Sequence, residues 1–150
     1  MAFTGSYICT SFYIDLGLAN IDTAADTFRL ALYSDTATLT EATTAYTATG
    51  ELATAGGYTA GGATTAVTVS TVSTSNGPMV VWDFADVTWA AATFTARGAL
   101  LYDDTAAGNP AVAVLDFGSN KSVVATDFII TFPSPTANAG FIVFATVLSQ

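Results

Sequence analysis

Residues that could do chemistry are few in this chain. Its 150 residues include twelve acids, three cations and one cysteine, and histidine is absent. Without an imidazole there is no Ser-His-Asp arrangement, no Cys-His pair for Cys9 and no histidine-based metal site. The glycine pairs at 56–57 and 61–62 precede neither a lysine nor a helix start, so they match no phosphate-binding loop. The sequence therefore predicts a protein that is not an enzyme and that uses no cofactor or metal.

Aspartates near predicted strand ends are the remaining candidates. Two of them in one cleft could serve as the acids of a glycoside hydrolase, but aspartate at a turn commonly binds backbone amides instead. Asp103 and Asp104, with Asn109 five residues further on, could offer oxygen ligands to Ca²⁺. Their spacing matches no EF-hand loop. We expect a solvated hairpin loop there, and whether it binds an ion stays open at this point.

Arg97 raises a separate question, because it is one of only three cations. Alternation along Phe94–Tyr102 places it on the same side as small neighbours, where a guanidinium can pair bidentately with a carboxylate on an adjacent strand or another chain. An exposed arginine would instead pair weakly, with about 0–1 kcal/mol of stabilisation. Gly98 indicates a bulge or a close backbone approach. We predict that Arg97→Ala loosens assembly more than it perturbs the fold.

Composition excludes several classes of partner. The net charge of −9 disfavours nucleic acid, whose phosphates need a basic patch. Charged residues make up 10 % and apolar residues 51 %, so much of the surface must be Thr, Ser, Ala and Gly. The apolar run at 140–145 is far below the roughly 20 residues of a spanning helix, and the N-terminus lacks signal-peptide features. We expect a soluble protein made in the cytosol, with no membrane partner.

Alternation of apolar and polar residues predicts an all-β fold. Turn-forming residues at 75–78, 103–110, 118–121 and 133–135 separate the strands. Since no helices lie between the strands, the pattern favours one antiparallel two-sheet sandwich, jelly-roll-like, with a short N-terminal helix. The predicted strands are 26–33, 63–73, 79–84, 94–102, 111–117, 127–132 and 140–148, with a short one at 87–89.

Two regions lie outside this strand pattern. Residues 1–25 form an N-terminal segment with a helix over 12–18, capped by Thr10 or Ser11, which docks on its own sandwich or on a partner. The sandwich domain covers 26–150 and contains a Thr/Ala/Gly-rich arm at 35–66. Large apolar and aromatic residues punctuate this arm, so we expect it to lie ordered over its own sheet or a partner's. The role of the last strand, 140–150, stays open.

The tryptophans have two interpretations. Trp82 and Trp89 fall within predicted strands, which favours packing in the core of the sandwich. If they were exposed together with Tyr58, they could stack on sugar rings. A carbohydrate-binding tail or spike module is therefore the alternative function.

Three runs in the second half of the chain resemble a set of small tailed-phage virion proteins: Trp82-Asp-Phe-Ala-Asp-Val-Thr-Trp89, Ala92-Thr-Phe-Thr-Ala-Arg-Gly-Ala-Leu-Leu-Tyr102 and Asn109-Pro-Ala-Val-Ala-Val-Leu-Asp-Phe-Gly118. The shorter runs 28–33, 43–47 and 57–62 are similar as well. The resemblance covers residues 26–132 and is weaker at both ends. It carries strand and turn signatures but no catalytic residue.

The resemblance implies a capsid decoration, or cement, protein with a jelly-roll-like fold on the outside of a phage capsid. Its implied partner is the major capsid protein, and the symmetry of a shell suggests a homo-dimer or homo-trimer. Contacts are expected from the N-terminal segment, from the arm and from Arg97. The expected interface residues are Phe3, Tyr7, Phe12, Tyr13, Tyr46, Tyr58 and Arg97.

Overall fold

The chain folds into two antiparallel sheets. The structure is a computed structural model that describes residues 3–75, 77–135 and 140–145. One sheet has the strand order β1-β7-β6-β2-β3 and the other has the order β4-β5-β8. This confirms the predicted all-β sandwich with one short N-terminal helix. The elements in the described residues are β1 (Tyr7–Ile8), α1 (Thr10–Gly17), β2 (Phe28–Tyr33), β3 (Ala63–Thr65), β4 (Val67–Thr74), β5 (Gly77–Phe84), β6 (Val87–Asp103), β7 (Ala111–Ile130) and β8 (Ile142–Ala145).

Aromatic side chains join the two sheets. Phe28 of β2 meets Phe84 of β5 edge-on, with ring centroids 5.5 Å apart. The N-terminal segment belongs to the same body, because β1 pairs with β7 and Phe12 of α1 packs edge-on against Trp82 at 5.4 Å. Phe12 is fully buried, so the helix docks on its own sandwich through this residue.

The long hairpin of β6 and β7 differs from the sequence prediction. Residues 118–121 were expected to form a turn, but Lys121 pairs with Ala96 and the strand continues to Ile130. Four residues of β7 lie opposite Arg97 alone between the 98–116 and 96–121 pairs, so the segment is a bulge. Gly118 has a φ of 75° there. The turn-forming residues thus mark a bulge within a continuous strand and not a reversal of the chain.

Three predicted strand boundaries were wrong. The predicted pairs 87–89 with 94–102, and 111–117 with 127–132, each form one continuous strand, and Phe132 lies beyond the end of β7. Conversely, the predicted strand 63–73 divides at Ala66: Thr65 pairs with Phe28 in one sheet and Val67 with Phe84 in the other. Residues 146–148 of the last predicted strand lie outside the described residues.

The arm at 35–66 is ordered over its own sheet. The Leu52 amide donates to the Leu32 carbonyl of β2 at 2.9 Å, and the Thr93 amide of β6 donates to the Gly56 carbonyl at 2.8 Å. The arm also replaces the predicted helix cap. The N-cap residue is Cys9, which makes no side-chain capping bond, and the Thr10 amide donates to the Glu41 carbonyl at 2.8 Å.

One edge of β7 is open over most of its length. β1 pairs with β7 only at Val114 and Ala113, and between residues 115 and 130 no described strand lies on that side. A second bulge interrupts this stretch at Ala125, which has a φ of 48°. Within the described ranges the single helix has eight residues, and no helix is long and apolar enough to cross a membrane.

Candidate functional site

Arg97 is tied to its own chain. Its guanidinium forms a hydrogen-bonded ion pair with Asp116 on the neighbouring strand β7, and both side chains are largely buried, with 17 % and 12 % exposed. The same guanidinium lies 5.5 Å above the ring of Phe3. The hydrogen bond from Arg97 is the main reason that the pKa of Asp116 is lowered. Of the two partners that the sequence left open, the structure provides the one on an adjacent strand.

A glutamate among tyrosines is the most elaborate polar cluster in the described residues. Glu51 of the arm accepts a hydrogen bond from Tyr46 at 2.5 Å on one carboxylate oxygen. Its other oxygen accepts from the Tyr58 hydroxyl and from the Gly61 amide, both at 2.6 Å. Tyr102 of β6 stacks on Tyr46, with centroids 4.6 Å apart, and donates to the Gly61 carbonyl at 2.8 Å. We call this group the Glu51 cluster.

The Glu51 cluster keeps its hydroxyls protonated. Burial raises the pKa of Tyr58 far above its ordinary value, and the hydrogen bond to Glu51 raises it further. Burial likewise raises the pKa of Tyr46, and it raises that of Tyr102 to about 12. A tyrosine in this state donates hydrogen bonds and is a poor nucleophile or base near neutral pH. The arrangement is suited to fastening the arm to β2 and β6.

Three of the four carboxylate oxygens considered for Ca²⁺ accept hydrogen bonds within the chain. Asp104 accepts from Arg29 and from the Asn109 side chain, both at 3.3 Å. Residues 104, 105, 107 and 108 are exposed, as expected for a solvated loop. Asp103, at the end of β6, is fully buried, and one of its oxygens accepts from the Thr105 and Ala106 amides. In the part of the chain that the structure describes, no group of three or more acidic, cysteine or histidine side chains could hold a metal ion.

Asp103 has an unusual second oxygen. That oxygen is buried and accepts no hydrogen bond from the described residues, and the carboxyl group of Asp26 lies beside it. Burial is the main cause of the raised pKa of Asp103, and the Asp26 carboxyl adds to it, against the opposing effect of the two amides. Burial and the neighbouring Asp26 carboxyl thus both shift Asp103 towards its protonated form.

Cys9 and the tryptophans are core residues. Cys9 is fully buried, and burial raises the pKa of its thiol to about 12, which suppresses the reactive thiolate. Trp82 and Trp89 are each 5 % exposed and Tyr58 is 2 % exposed. The core packing predicted for both tryptophans is therefore confirmed, and these three rings do not form an open platform for a sugar.

Six of the seven expected interface residues form three pairs, and the Tyr7 hydroxyl donates to the Thr4 carbonyl instead. Phe3 contacts Arg97, Phe12 contacts Tyr13, and Tyr46 and Tyr58 are joined through Glu51. Phe3, Phe12 and Tyr58 are buried in the chain's own core and offer almost no surface to a partner. Tyr13 is exposed, whereas Tyr7, Tyr46 and Arg97 are partly buried. Whether any of these residues contacts a partner stays a prediction.

Sequence reasoning missed Glu51, Ile14 and Leu18. Glu51 lies in a low-complexity segment. The only indication of its role in the sequence was that a carboxylate lies between two tyrosines, Tyr46 and Tyr58. Ile14 and Leu18 lie one helical turn apart and are 59 % and 67 % exposed. The sequence showed their spacing but not which face of the helix would dock.

An open groove of about 410 Å³ follows β7 and is lined by Phe117, Lys121, Phe128, Ile129 and Ile130. The ammonium group of Lys121 donates to the Ser119 hydroxyl at 3.1 Å. The groove is otherwise apolar.

Compared with protein-family models, with curated proteins and with solved structures, the chain has no match. The resemblance to phage virion proteins therefore stays an expectation from the sequence.

Proposed function

We propose that this protein is a virion structural protein that decorates a phage capsid and stabilises it by bridging subunits of the major capsid protein. It acts on the outer face of the capsid as a homo-dimer or homo-trimer. The observation that carries the proposal is how the side chains are distributed. Charged groups such as Arg97, Asp116 and Glu51 fasten the chain to itself, while large apolar side chains stand on its surface.

The exposed apolar set is spread over the helix and both sheets. It comprises Tyr13, Ile14, Leu18, Val69, Val124, Ile129 and Val143, each at least 41 % exposed. An uncharged Thr/Ala/Ser surface with such side chains loses little ionic hydration when it is covered by another protein. Many copies on a symmetric shell add modest contacts into a strong total effect. A scaffold fastened by internal polar contacts suits this role.

The carbohydrate-binding alternative lacks a comparable observation. It requires Trp82 or Trp89 beside Tyr58 on an open face, and all three side chains are at most 5 % exposed. We therefore do not propose it.

Electron microscopy of phage heads with and without the protein tests the proposal. We expect ordered density on the outer surface at symmetry-related positions only when the protein is present, and greater resistance of those heads to heat. Heads that bind none of the purified protein would contradict it.

A further inference from the structure

Part of the apolar surface of α1 faces outward. Tyr13 and Ile14 in the helix and Leu18, the residue directly after it, are 53 %, 59 % and 67 % exposed, whereas Phe12 is fully buried and Leu16 packs against the core. Gly17 lies between them in the sequence, and a side chain at its position would meet nothing within 4 Å. A helix of eight residues is not stable in isolation, and such a helix would ordinarily turn most of its apolar residues inward. Exposed apolar clusters of this kind mark interaction sites.

Acidic residues lie near this face along the chain. Asp15 is in the helix, and Asp22 lies four residues after Leu18. Glu41 adjoins the start of the helix, because its carbonyl accepts from the Thr10 amide at 2.8 Å. Asp22 and Glu41 are exposed, and Asp15 is partly exposed. A partner that covers the face therefore gains from cations around an apolar pocket.

A second copy of this chain is poorly equipped for that role. The chain has three cations, of which Arg29 pairs with Asp104 and Arg97 with Asp116. The third, Lys121, is on the β6–β7 hairpin. Two copies meeting through α1 would place acid against acid within a net charge of −9 each. Charge complementarity thus points to a different protein.

We propose that Tyr13, Ile14 and Leu18 on the outward face of α1 dock into an apolar pocket with a basic rim on another protein. The identification of that protein as the major capsid protein rests on the proposed function. The docking face differs from the expected interface residues, since Phe12 anchors the helix and its neighbours make the contact. Homo-oligomer contacts then lie elsewhere on the molecule.

Matched serine variants test this assignment. Ile14→Ser and Leu18→Ser remove apolar side chains from the face, and Ala107→Ser is the control because Ala107 is exposed in the loop between β6 and β7 and lies outside the exposed apolar set. The measurement is equilibrium binding of each full-length variant to purified phage heads that lack the protein. We expect Ile14→Ser and Leu18→Ser each to weaken binding by about tenfold or more, and Ala107→Ser to leave it within about twofold. Thermal unfolding checks that the variants are folded.

A charge variant tests the rim. Asp15→Lys should weaken binding at low salt, and its affinity should depend less on salt than that of the wild type, since attraction between exposed charges is screened. Asp35→Lys, which changes an exposed acid elsewhere, should have less effect. Equal effects of the two substitutions would overturn the basic rim.

The outcomes separate the two proposals. Wild-type protein that ignores the heads overturns the proposed function and this assignment with it. Wild-type binding that survives both Ile14→Ser and Leu18→Ser overturns the docking face alone. Mass photometry covers the remaining case: a wild-type oligomer that dissociates in these variants would show that a second copy occupies the face, against the proposal.

Discussion

At the scale of single residues, the scarce charges of this chain serve its own folding. Arg97 and Asp116 pair across two strands, and Asp103 is buried beside Asp26. Their effects on stability have opposite dependence on pH, because the pKa of Asp116 is lowered and that of Asp103 is raised. This contrast allows each contribution to be measured separately.

Asp103→Asn should stabilise the protein at pH 7. The asparagine oxygen can still accept from the Thr105 and Ala106 amides, and its amino group can donate to Asp26 without needing a proton. Because the folded pKa of Asp103 is raised, the wild type has this group's full stabilisation below an unfolded pKa of about 3.9 and loses it as the pH rises through the folded value. We expect a gain of about 1–2 kcal/mol at pH 7 in urea unfolding.

The gain from Asp103→Asn should shrink as the pH falls towards 4. Asp104→Asn is the control, since Asp104 is more exposed and would lose its ion pair with Arg29. A variant that is less stable than the wild type at pH 7 would show that a protonated Asp103 is not the folded form.

Arg97→Ala should destabilise the fold, in contrast to the sequence-based prediction that it mainly loosens assembly. It removes the partner of a largely buried carboxylate and the contact over Phe3. We expect a loss of about 2–4 kcal/mol in urea unfolding at pH 7. Asp116 has a lowered folded pKa, so the difference from the wild type should be present above its unfolded pKa and disappear as the pH falls through the folded value.

Arg97→Lys keeps the charge but not the planar guanidinium, and it should recover part of the stability. Normal unfolding of Arg97→Ala, together with weakened binding to phage heads, would support the original prediction instead.

At the scale of elements, the carboxylate of Glu51 is the centre of the hydrogen bonds between side chains that fix the arm. The Glu51 cluster attaches residues 46–61 of the arm to β2 and β6, since Tyr58 also accepts from the Leu32 amide at 3.0 Å. Gly62 comes so close to β2 that an added Cβ would lie 2.1 Å from the Leu30 carbonyl oxygen. The arm is therefore an ordered layer fixed by polar contacts as well as by its apolar residues.

Glu51→Gln should loosen the arm. A glutamine has one acceptor oxygen, so it cannot accept from Tyr46 and Tyr58 in the same geometry, and the bonds that remain lose their ionic character. We expect a loss of about 2–3 kcal/mol in urea unfolding and faster amide hydrogen exchange at residues 46–61. Glu41→Gln is the matched control, because Glu41 is the other glutamate and is exposed. Equal effects of the two substitutions would contradict a fastening role for Glu51.

Strand existence was more predictable than strand continuity. Alternation along 28–33 identified β2 as a strand, because period two is a local property of the backbone. It did not show that both sides of this strand are buried, with Arg29 as the exception. It could not place the division at Ala66, where the alternating pattern runs on while the chain changes sheets. Nor could it identify Asp116 as the partner of Arg97, since that depends on the register of β6 and β7, whose pairing has four register shifts. The cluster around Glu51 likewise depends on long-range packing.

At the scale of the whole molecule, both tryptophans report on the sandwich. Trp82 of β5 packs against α1, and Trp89 of β6 contacts Tyr58 and Phe128. The two tryptophans therefore report on different sheets of the sandwich. This makes intrinsic fluorescence a test of the overall architecture.

Native tryptophan emission should be blue-shifted and poorly quenched by acrylamide, because both side chains are only 5 % exposed. Unfolding in urea should shift the emission to the red and restore quenching, and the urea-unfolded sample is the control. Native emission that resembles free tryptophan would contradict the buried positions and revive the carbohydrate-binding alternative.

The open edge of β7 has a consequence for behaviour in crowded surroundings. A free strand edge of this length invites other chains to add to it and grow into fibrils. Here the bulges at Gly118 and Ala125 break the flat row of amides and carbonyls, and Lys121 adds a charge between them. Both features disfavour the addition of a further strand along this edge.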